Sequence, residues 1–314
     1  MPIAAVAAVI VSYGIRERQM FQDMEAAGVE ISCWDDGISR FFGSPFDRVR
    51  TVEGDVTVFP HLAKLSRLET VVMTDPSDDA VALLSRCTDL KDLTIDGGRT
   101  VSSTTFFSIA RTLTLDRVVL GRESQHLVGA VSAHKTLREL SIYRADITSI
   151  SQLESLKELR ELNLPALAIN TSEVDTSRLK GLTNLQRLAV TISEVRDEHL
   201  GFTRDLESLE KVDVSDCRHI SDDFLSSLGD CRLKYLNIGV LTSGKNKISD
   251  SGLSFLAKSH GTLEVLNIYG TAITKESIAA LSEFTSLREL HVEKSVLTTR
   301  EATQLLPSVK CFVY

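Results

Sequence analysis

The sequence predicts an α/β solenoid in which a parallel sheet lines the concave side and helices cover the convex side. A six-residue pattern with aliphatic residues at its first, fourth and sixth positions recurs every 22 to 30 residues. The alternation within each copy predicts a short strand with two buried side chains. The residues that follow have apolar positions three or four apart, which predicts a helix. One strand and one helix cannot bury their own apolar faces, so we expect the units to stack into a curved array.

The array is predicted to begin near the N-terminus. The apolar run Ile3–Val11 predicts a buried strand, and residues 16–27 predict an amphipathic helix that ends at Gly28. Val29 and Ile31 suggest another strand. Residues 1–45 are therefore interpreted as an N-terminal cap or degenerate repeats, and residues 46–314 as the repeat array, with a first copy in which Phe46, Val49 and Thr51 take the aliphatic positions.

The repeats are clearest in the second half of the chain. Well-formed copies begin at Leu137, Leu159, Leu185, Leu263 and Leu287, and looser ones at Leu68, Leu90, Leu115, Leu209, Leu233 and Val309. Helical segments that open with cap residues follow several strands, as in Ser221–Leu228, Ser249–Leu256 and Thr274–Leu281.

The last copy, Val309–Tyr314, is a strand that no helix follows in this sequence. A bare terminal strand leaves hydrogen-bonding groups and a core edge open. We therefore expect self-association or capping of this edge by a partner or by a further segment.

These motifs resemble the leucine-rich repeat superfamily, with a likeness that covers at least Leu65–Tyr314. The copies around Cys217 and Thr271 are similar to the cysteine-containing subtype of F-box proteins and, less closely, to the ribonuclease-inhibitor subtype. Other copies depart from that pattern, because the Asn or Cys expected after the strand is replaced by Ala145, Leu167, Ser193 and Leu241. Residues 1–60 do not show the adaptor-binding helices of an F-box, which argues against a ubiquitin-ligase substrate receptor.

Composition restricts the class of protein and its compartment. The 43 acidic and 35 basic side chains give a net charge of −8, which disfavours a duplex nucleic-acid binder. Five scattered cysteines indicate reduced thiols in an intracellular protein, cytoplasmic or nuclear, with a mitochondrial location left open and secretion disfavoured. The N-terminal apolar run is too short to span a bilayer, so no membrane association is expected.

Two segments resemble a phosphate-binding loop and a metal site, but their residues do not match either motif in full. Gly239–Asn246 nearly matches a phosphate-binding loop, but Asn246 replaces the hydroxyl that would hold magnesium, so the segment is interpreted as a loop insertion. Cys217 and His219 lie near Asp216, Asp222 and Asp223 without a zinc-ligand spacing, and the aspartates are interpreted as helix caps. The sequence therefore predicts no enzyme, no cofactor and no metal site.

Function is expected on the concave face, where the repeat register points polar and aromatic side chains outward. The outward tyrosines near the C-terminal end are expected to form one contiguous patch with Asn and His, a composition typical of protein-binding hot spots. The candidate partner-binding residues are Tyr143, Arg144, Arg187, Tyr235, Asn237, Asn267, Tyr269, His291 and Glu293.

The predicted function is a non-catalytic protein-interaction scaffold, a subunit of a larger intracellular complex that binds through its concave face and terminal edges. One alternative is a regulator of an enzyme such as a nuclease or a small GTPase, as in other leucine-rich repeat families. A second alternative is a ubiquitin-ligase substrate receptor or an RNA-associated factor. RNA is disfavoured because acidic residues such as Glu139 and Glu161 share the face and repel phosphate.

Overall fold

The computed structural model describes residues 30–33, 49–54, 68–169, 175–242 and 244–314. The chain divides into two compact units, Met1–Leu137 and Arg138–Tyr314. The strand predicted at Ile3–Val11 and the helix predicted at residues 16–27 lie outside the described residues, so the boundary proposed at residue 45 stays a prediction.

The first unit contains an open sheet with helical segments between its strands. Its strands are β1 (Glu30–Cys33), β2 (Val49–Gly54), β3 (Thr70–Thr74), β4 (Asp92–Asp96) and β5 (Arg117–Leu120). β1 pairs antiparallel with β2, and the strands from β2 to β5 pair in parallel and in chain order. Its helices are α1 (Asp78–Leu83), α2 (Ser103–Thr112) and α3 (Val128–Val131), with 3₁₀ turns at Leu84–Arg86 and Gln125–Leu127.

The register of β2 differs from the one that the repeat pattern predicts. Val52 pairs with Val71 and Gly54 with Met73, which are the buried positions of β3. Thr51, predicted to be an inner residue, pairs instead with the outward Thr70. The prediction is wrong because β2 carries Val at both position 49 and position 52, and alternation from either residue fits a strand.

The second unit contains an all-parallel sheet whose strands follow chain order. Its strands are β6 (Glu139–Ile142), β7 (Glu161–Asn163), β8 (Arg187–Ala189), β9 (Lys211–Asp213), β10 (Tyr235–Asn237), β11 (Val265–Asn267), β12 (Glu289–Val292) and β13 (Lys310–Val313). Each strand pairs with the next in a constant register, so equivalent repeat positions form rows across the sheet.

The helical side of the second unit mixes α and 3₁₀ turns. The α-helices are α4 (Ile147–Ile150), α5 (Asp197–Leu200), α6 (Asp222–Ser227), α7 (Ile278–Leu281) and α8 (Thr299–Leu305). The 3₁₀ segments are Ser151–Ser155, Ser177–Gly181, Gly201–Asp205, Asp250–Ser259 and Lys275–Ser277.

One predicted helix has the wrong geometry. Residues 249–256 fit the spacing of an α-helix, but the structure has a 3₁₀ segment that includes Gly252 and is interrupted at Leu256, whose φ and ψ are −89° and 18°. Glycine disfavours a regular helix, and apolar residues three apart suit 3₁₀ turns equally well.

The aliphatic consensus residues form the core, as the repeat pattern predicts. From β6 to β12, the fourth-position residues are at most 2% exposed, and burial of each such side chain contributes on the order of 1.5–3 kcal/mol. They are Leu140, Leu162, Leu188, Val212, Leu236, Leu266 and Leu290. The predicted fold class, an α/β leucine-rich repeat solenoid, is confirmed.

Aspartates tie successive repeats together at the start of their helical segments. Asp222 accepts hydrogen bonds from the backbone N–H and the hydroxyl of Ser249 in the next repeat, at 2.8 and 2.6 Å. Asp197 contacts Ser221 in the same way. The prediction that Asp222 caps its own helix is therefore wrong, because Ser221 is the cap and Asp222 binds the cap residue of the following repeat.

Buried polar side chains after the strands bond to backbone carbonyls. Cys217 lies three positions after Val214, and its thiol donates to the Val190 carbonyl at 3.1 Å. Thr271 lies three positions after Ile268 and donates to that residue's carbonyl at 2.8 Å. Cys217 therefore has the structural role that its place in the repeat predicts.

The equivalent residue after β10 is Asn246, and the assignment of this position to Leu241 is wrong. The Asn246 side chain is 3% exposed, donates to the Ile238 carbonyl at 2.8 Å and accepts from the Ile248 N–H at 3.2 Å. Leu241 is 68% exposed. The segment between Ile238 and Asn246 is a loop insertion that leaves the buried amide in its usual place.

Candidate functional site

The last strand turns two aromatic side chains toward the concave face. Cys311 pairs with the buried Leu290, and Phe312 pairs with the outward His291. The repeat pattern, counted from Val309, predicts Phe312 and Tyr314 as inner residues. The structure shifts the register by one position, which exchanges the two faces of the strand and places both rings on the concave side.

Four aromatic side chains contact one another on this face, and we call them the ring cluster: Tyr269, His291, Phe312 and Tyr314. The His291 ring stacks on Phe312 with centroids 4.5 Å apart and an angle of 11° between the planes. Tyr269 meets Tyr314 edge to face at 5.3 Å. The Tyr314 hydroxyl lies 3.1 Å from His291 Nδ1, and Glu289 lies 2.7 Å from His291 Nε2. These contacts hold the rings in a defined arrangement.

Two asparagines beside the ring cluster accept hydrogen bonds from the backbone just after their own strands. Asn237 accepts from the Gly239 N–H at 3.1 Å, and Asn267 accepts from the Tyr269 N–H at 3.0 Å. Both asparagines occupy the row that continues into His291. Their amides therefore have a local structural role, and they also border the ring cluster as polar neighbours.

Tyr235 lies at the edge of this region and is more enclosed than the pattern predicts. Burial raises the pKa of its hydroxyl, and the nearby carboxylate of Asp213 raises it further. Asp213 also accepts from the Asn237 amide at 3.3 Å. Tyr235 pairs with Val265 on the next strand, so it shares the face with the ring cluster without belonging to it.

The repeat between those of Tyr269 and Tyr314 supplies a carboxylate, that of Glu293. Two positions after the aligned row of Asn267, His291 and Phe312 come Tyr269, Glu293 and Tyr314, on three successive repeats. The Glu293 carboxylate accepts from Lys245 Nζ at 2.7 Å and from the Ser295 hydroxyl at 2.9 Å.

The charge of this carboxylate is stabilised by its contacts. Burial raises the pKa of Glu293, but the hydrogen bonds from Lys245 and Ser295 outweigh burial and lower that pKa below its ordinary value. The side chain of Glu293 is 21% exposed and that of Lys245 is 49% exposed. Solvent therefore reaches both side chains of the ion pair.

The remaining candidate residues lie elsewhere in the same unit. Tyr143 and Arg144 follow β6, and Arg144 has a left-handed backbone with φ of 54°. Arg187 is on β8, where it pairs with Glu161 at 3.1 Å. The structure thus places Tyr269, His291 and Glu293 together and leaves Tyr143, Arg144 and Arg187 several strands away.

Three members of this region were not predicted as binding residues. Phe312 and Tyr314 were assigned to the inner face, and Lys245 belongs to the loop insertion. A sequence signal for Phe312 and Tyr314 exists in the alternative register, which places Cys311 and Val313 in line with Leu290 and Val292. No sequence signal connects Lys245 with Glu293, which lies 48 positions later.

Three of the described cysteines lie in buried positions where their thiols are held neutral. Burial raises the pKa of the Cys217 thiol to about 12 and those of Cys87 and Cys231 to about 11, so these thiols stay protonated near neutral pH. Among the residues that the structure describes, no three His, Cys, Asp or Glu side chains are grouped to hold a metal ion. In the same part of the chain, no helix has the length and apolar character needed to cross a membrane.

Comparison with known proteins gives a structural likeness. No family model and no curated protein matches the sequence. Among solved structures, the chain is similar to an internalin from Listeria monocytogenes, with a TM-score of 0.57 and 17% identity over 85% of this chain and 87% of that one. An internalin C2 from the same organism aligns with a TM-score of 0.38 and 18% identity over 79% and 82% of the two chains. The first likeness supports the leucine-rich repeat fold.

Proposed function

We propose that this leucine-rich repeat chain is a non-catalytic protein-interaction scaffold, an intracellular subunit that binds a partner protein through its concave face. The observation that carries the proposal is the ring cluster. Two tyrosines, a histidine and a phenylalanine lie on one face of the sheet, where Tyr314 is 56% exposed and the other three rings are partly exposed. Cys217, in its buried slot, supports a similarity to the cysteine-containing repeats of F-box proteins as a further part of this proposal.

The physical argument is that the cluster is already ordered. Tyrosine rings bury a large area on binding and have few torsions to immobilise. Here Tyr314 contacts His291, and His291 stacks on Phe312, so the rings hold one another in place before a partner binds. A preordered aromatic surface loses less entropy on association, which favours affinity.

The experiment begins with affinity purification of the tagged chain from its native cells, with a nuclease-treated control, followed by calorimetry with the captured protein. We expect the double variant Tyr269→Ala/Tyr314→Ala to weaken binding by about 2 kcal/mol or more, roughly 30-fold, with little change in melting temperature. Phe255→Ala is the matched control, since it removes an exposed aromatic ring of the same unit that lies on a helical segment and not on the sheet. Unchanged affinity in the double variant would exclude the ring cluster as the interface.

The same purification separates the proposed scaffold from the alternatives. One stoichiometric enzyme as the captured protein would favour a regulator of that enzyme. Loss of every partner after nuclease treatment would favour RNA, whose bases stack on aromatic rings. Glu289 and Glu293 border the rings and repel phosphate, so we expect the partners to survive nuclease.

A further inference from the structure

We propose that the ring cluster receives a cationic side chain of the partner protein, an arginine or a lysine, which replaces Lys245 at the Glu293 carboxylate. This inference rests on the proposed function and specifies the chemistry of the partner. In the free chain, Lys245 occupies the position beside Glu293 that the partner's cationic side chain would take.

The first support is the position of the carboxylate. Glu293 comes from the repeat between those that supply Tyr269 and Tyr314, and the rings of those two tyrosines meet with centroids 5.3 Å apart. A carboxylate beside aromatic rings suits an arginine, whose guanidinium can form two parallel hydrogen bonds with the acid and stack on a ring.

The second support is that the rings already accept a cation from the chain itself. Lys310 Nζ lies 4.5 Å from the centroid of the Phe312 ring. Attraction between a cation and a ring face is about 0.5–1 kcal/mol at exposed sites and larger where water is excluded. A partner that covers the ring cluster would exclude water and so strengthen this attraction.

The third support is that Lys245 can leave without loss of the loop. The insertion is held by other contacts, in which Asp216 accepts from the N–H groups of Leu241 and Thr242 at 2.9 and 3.0 Å. At the far end of the loop, Asn246 donates its N–H to the Gly270 carbonyl at 3.2 Å. The pair between Lys245 and Glu293 is accessible, and exposed ion pairs contribute at most about 1 kcal/mol. A bidentate guanidinium can therefore compete with the lysine.

Charge complementarity favours a basic protein over a nucleic acid. Glu289 contacts His291 on the same face, Asp213 lies beside Asn237, and the chain has a net charge of −8. These carboxylates attract arginine and lysine and repel a phosphate backbone.

The test uses a fluorescein-labelled Gly-Arg-Gly-Arg-Gly-Arg peptide as the probe, with fluorescence anisotropy at moderate salt and the full chain. We expect Glu293→Gln to weaken binding about tenfold or more, because it removes the charge with which an arginine of the probe would pair. We expect Lys245→Met to tighten binding several-fold, because it removes the internal competitor. Glu293→Asp is expected to restore part of the affinity, which separates loss of charge from loss of folding.

Matched controls come from a second ion pair of the same sheet. Lys234 and Glu210 lie on neighbouring repeats with the same N–O distance of 2.7 Å, outside the ring cluster. Lys234→Met and Glu210→Gln change the net charge by the same amounts as the test variants. We expect both controls to bind the probe as the unaltered chain does, within about twofold.

Three results would overturn the inference. The first is a Glu293→Gln variant that binds the probe as well as the Glu210→Gln control does. The second is weaker binding of the probe by Lys245→Met, which would mean that the lysine does not compete with it. The third is tighter binding of a uridine dodecamer than of the arginine peptide, since it would make the site one for anions. If the captured partner depends on Tyr269 and Tyr314 but not on Glu293, the scaffold function stands and this inference fails.

Discussion

The side-chain amide of Asn246 links the residue after one strand to the segment that follows the loop insertion. It bonds to a strand carbonyl on one side and to the backbone of the following segment on the other, in a site that is 3% exposed. An unsatisfied backbone group there would cost about 1–3 kcal/mol. The sequence pattern did not locate this residue, because it counts positions from the strand and the loop insertion displaces the asparagine.

His134 is a buried side chain with a measurable effect on acid stability. Its ring is 1% exposed, meets Phe106 edge to face at 5.7 Å, and neither ring nitrogen has a hydrogen-bond partner among the described residues. Burial lowers the pKa of His134 from 6.5 to about 4. The folded state therefore holds the neutral ring, whereas the unfolded chain binds a proton near pH 6.5.

We predict that the stability contributed by neutral His134 is complete above pH 6.5 and is lost as the pH falls toward 4. The linkage relation gives a loss of about 2 kcal/mol between pH 7.5 and pH 5. His134→Leu should reduce that loss, and denaturant unfolding at the two pH values measures it. Val131→Ala, a change at a buried residue that does not titrate, is the control and should lower the free energy of unfolding equally at both pH values. Equal pH dependence in His134→Leu and the unaltered chain would contradict the assignment.

At the scale of strands and helices, the repeat spacing predicted which segments form strands but not every register. Most strands have one alternating set of aliphatic residues, such as Leu140 and Ile142, so a shift by one position would expose the core. At β13 one register turns Cys311 and Val313 inward and the other turns Phe312 and Tyr314 inward, and each pair carries apolar or aromatic side chains. The pairing with β12 decides which side chains of β13 face outward. Phe312 and Tyr314 therefore could not be predicted as members of the ring cluster.

The helical segments show the same limit for a different reason. Apolar residues three or four apart fit α and 3₁₀ turns alike, so the pattern located Asp250–Ser259 but not its geometry. Asp222 was interpreted as a cap of its helix, whereas the structure shows that it binds Ser249, the cap residue of the next repeat.

We predict that Asp222→Ala lowers the free energy of unfolding by about 1.5–3 kcal/mol, because it removes two charge-assisted hydrogen bonds to Ser249. Asp223→Ala is the matched control, since it removes an exposed acid from the same first helical turn. Both variants lose a favourable contact with the helix N-terminus, so the difference between them reports the link between repeats. Urea denaturation of the two variants measures that difference, and equal losses would refute the link.

At the scale of the whole molecule, the candidate site joins residues that are far apart in sequence. Tyr269, His291 and Glu293 follow from the repeat register and were predicted. Lys245 reaches Glu293 from a loop two repeats earlier, and only the three-dimensional course of the insertion brings them together. The sequence therefore predicts the face and Tyr269, and the structure supplies Phe312, Tyr314 and the ion pair.

Net charge predicts how the whole chain behaves in solution. The sequence pI is about 5.5, so the charge of −8 near neutral pH falls toward zero as the pH approaches that value. Repulsion between molecules then weakens, and we predict a solubility minimum near pH 5.5. Light scattering across pH 4.5–8 measures this minimum. A double variant that replaces two exposed lysines, Lys234→Glu/Lys258→Glu, should move the minimum to lower pH, and a minimum that stays in place would contradict a charge-based origin.

The loop insertion after β10 has a consequence for protein engineering. Eight positions separate Ile238 from the buried amide of Asn246, against three between Val214 and Cys217, and the strand pairing on both sides keeps its register. The repeat therefore accepts a longer loop at this junction while its core stays in place. The corresponding junctions of the neighbouring repeats are where foreign peptides, such as epitopes or affinity tags, should be grafted beside the concave face while the scaffold is preserved.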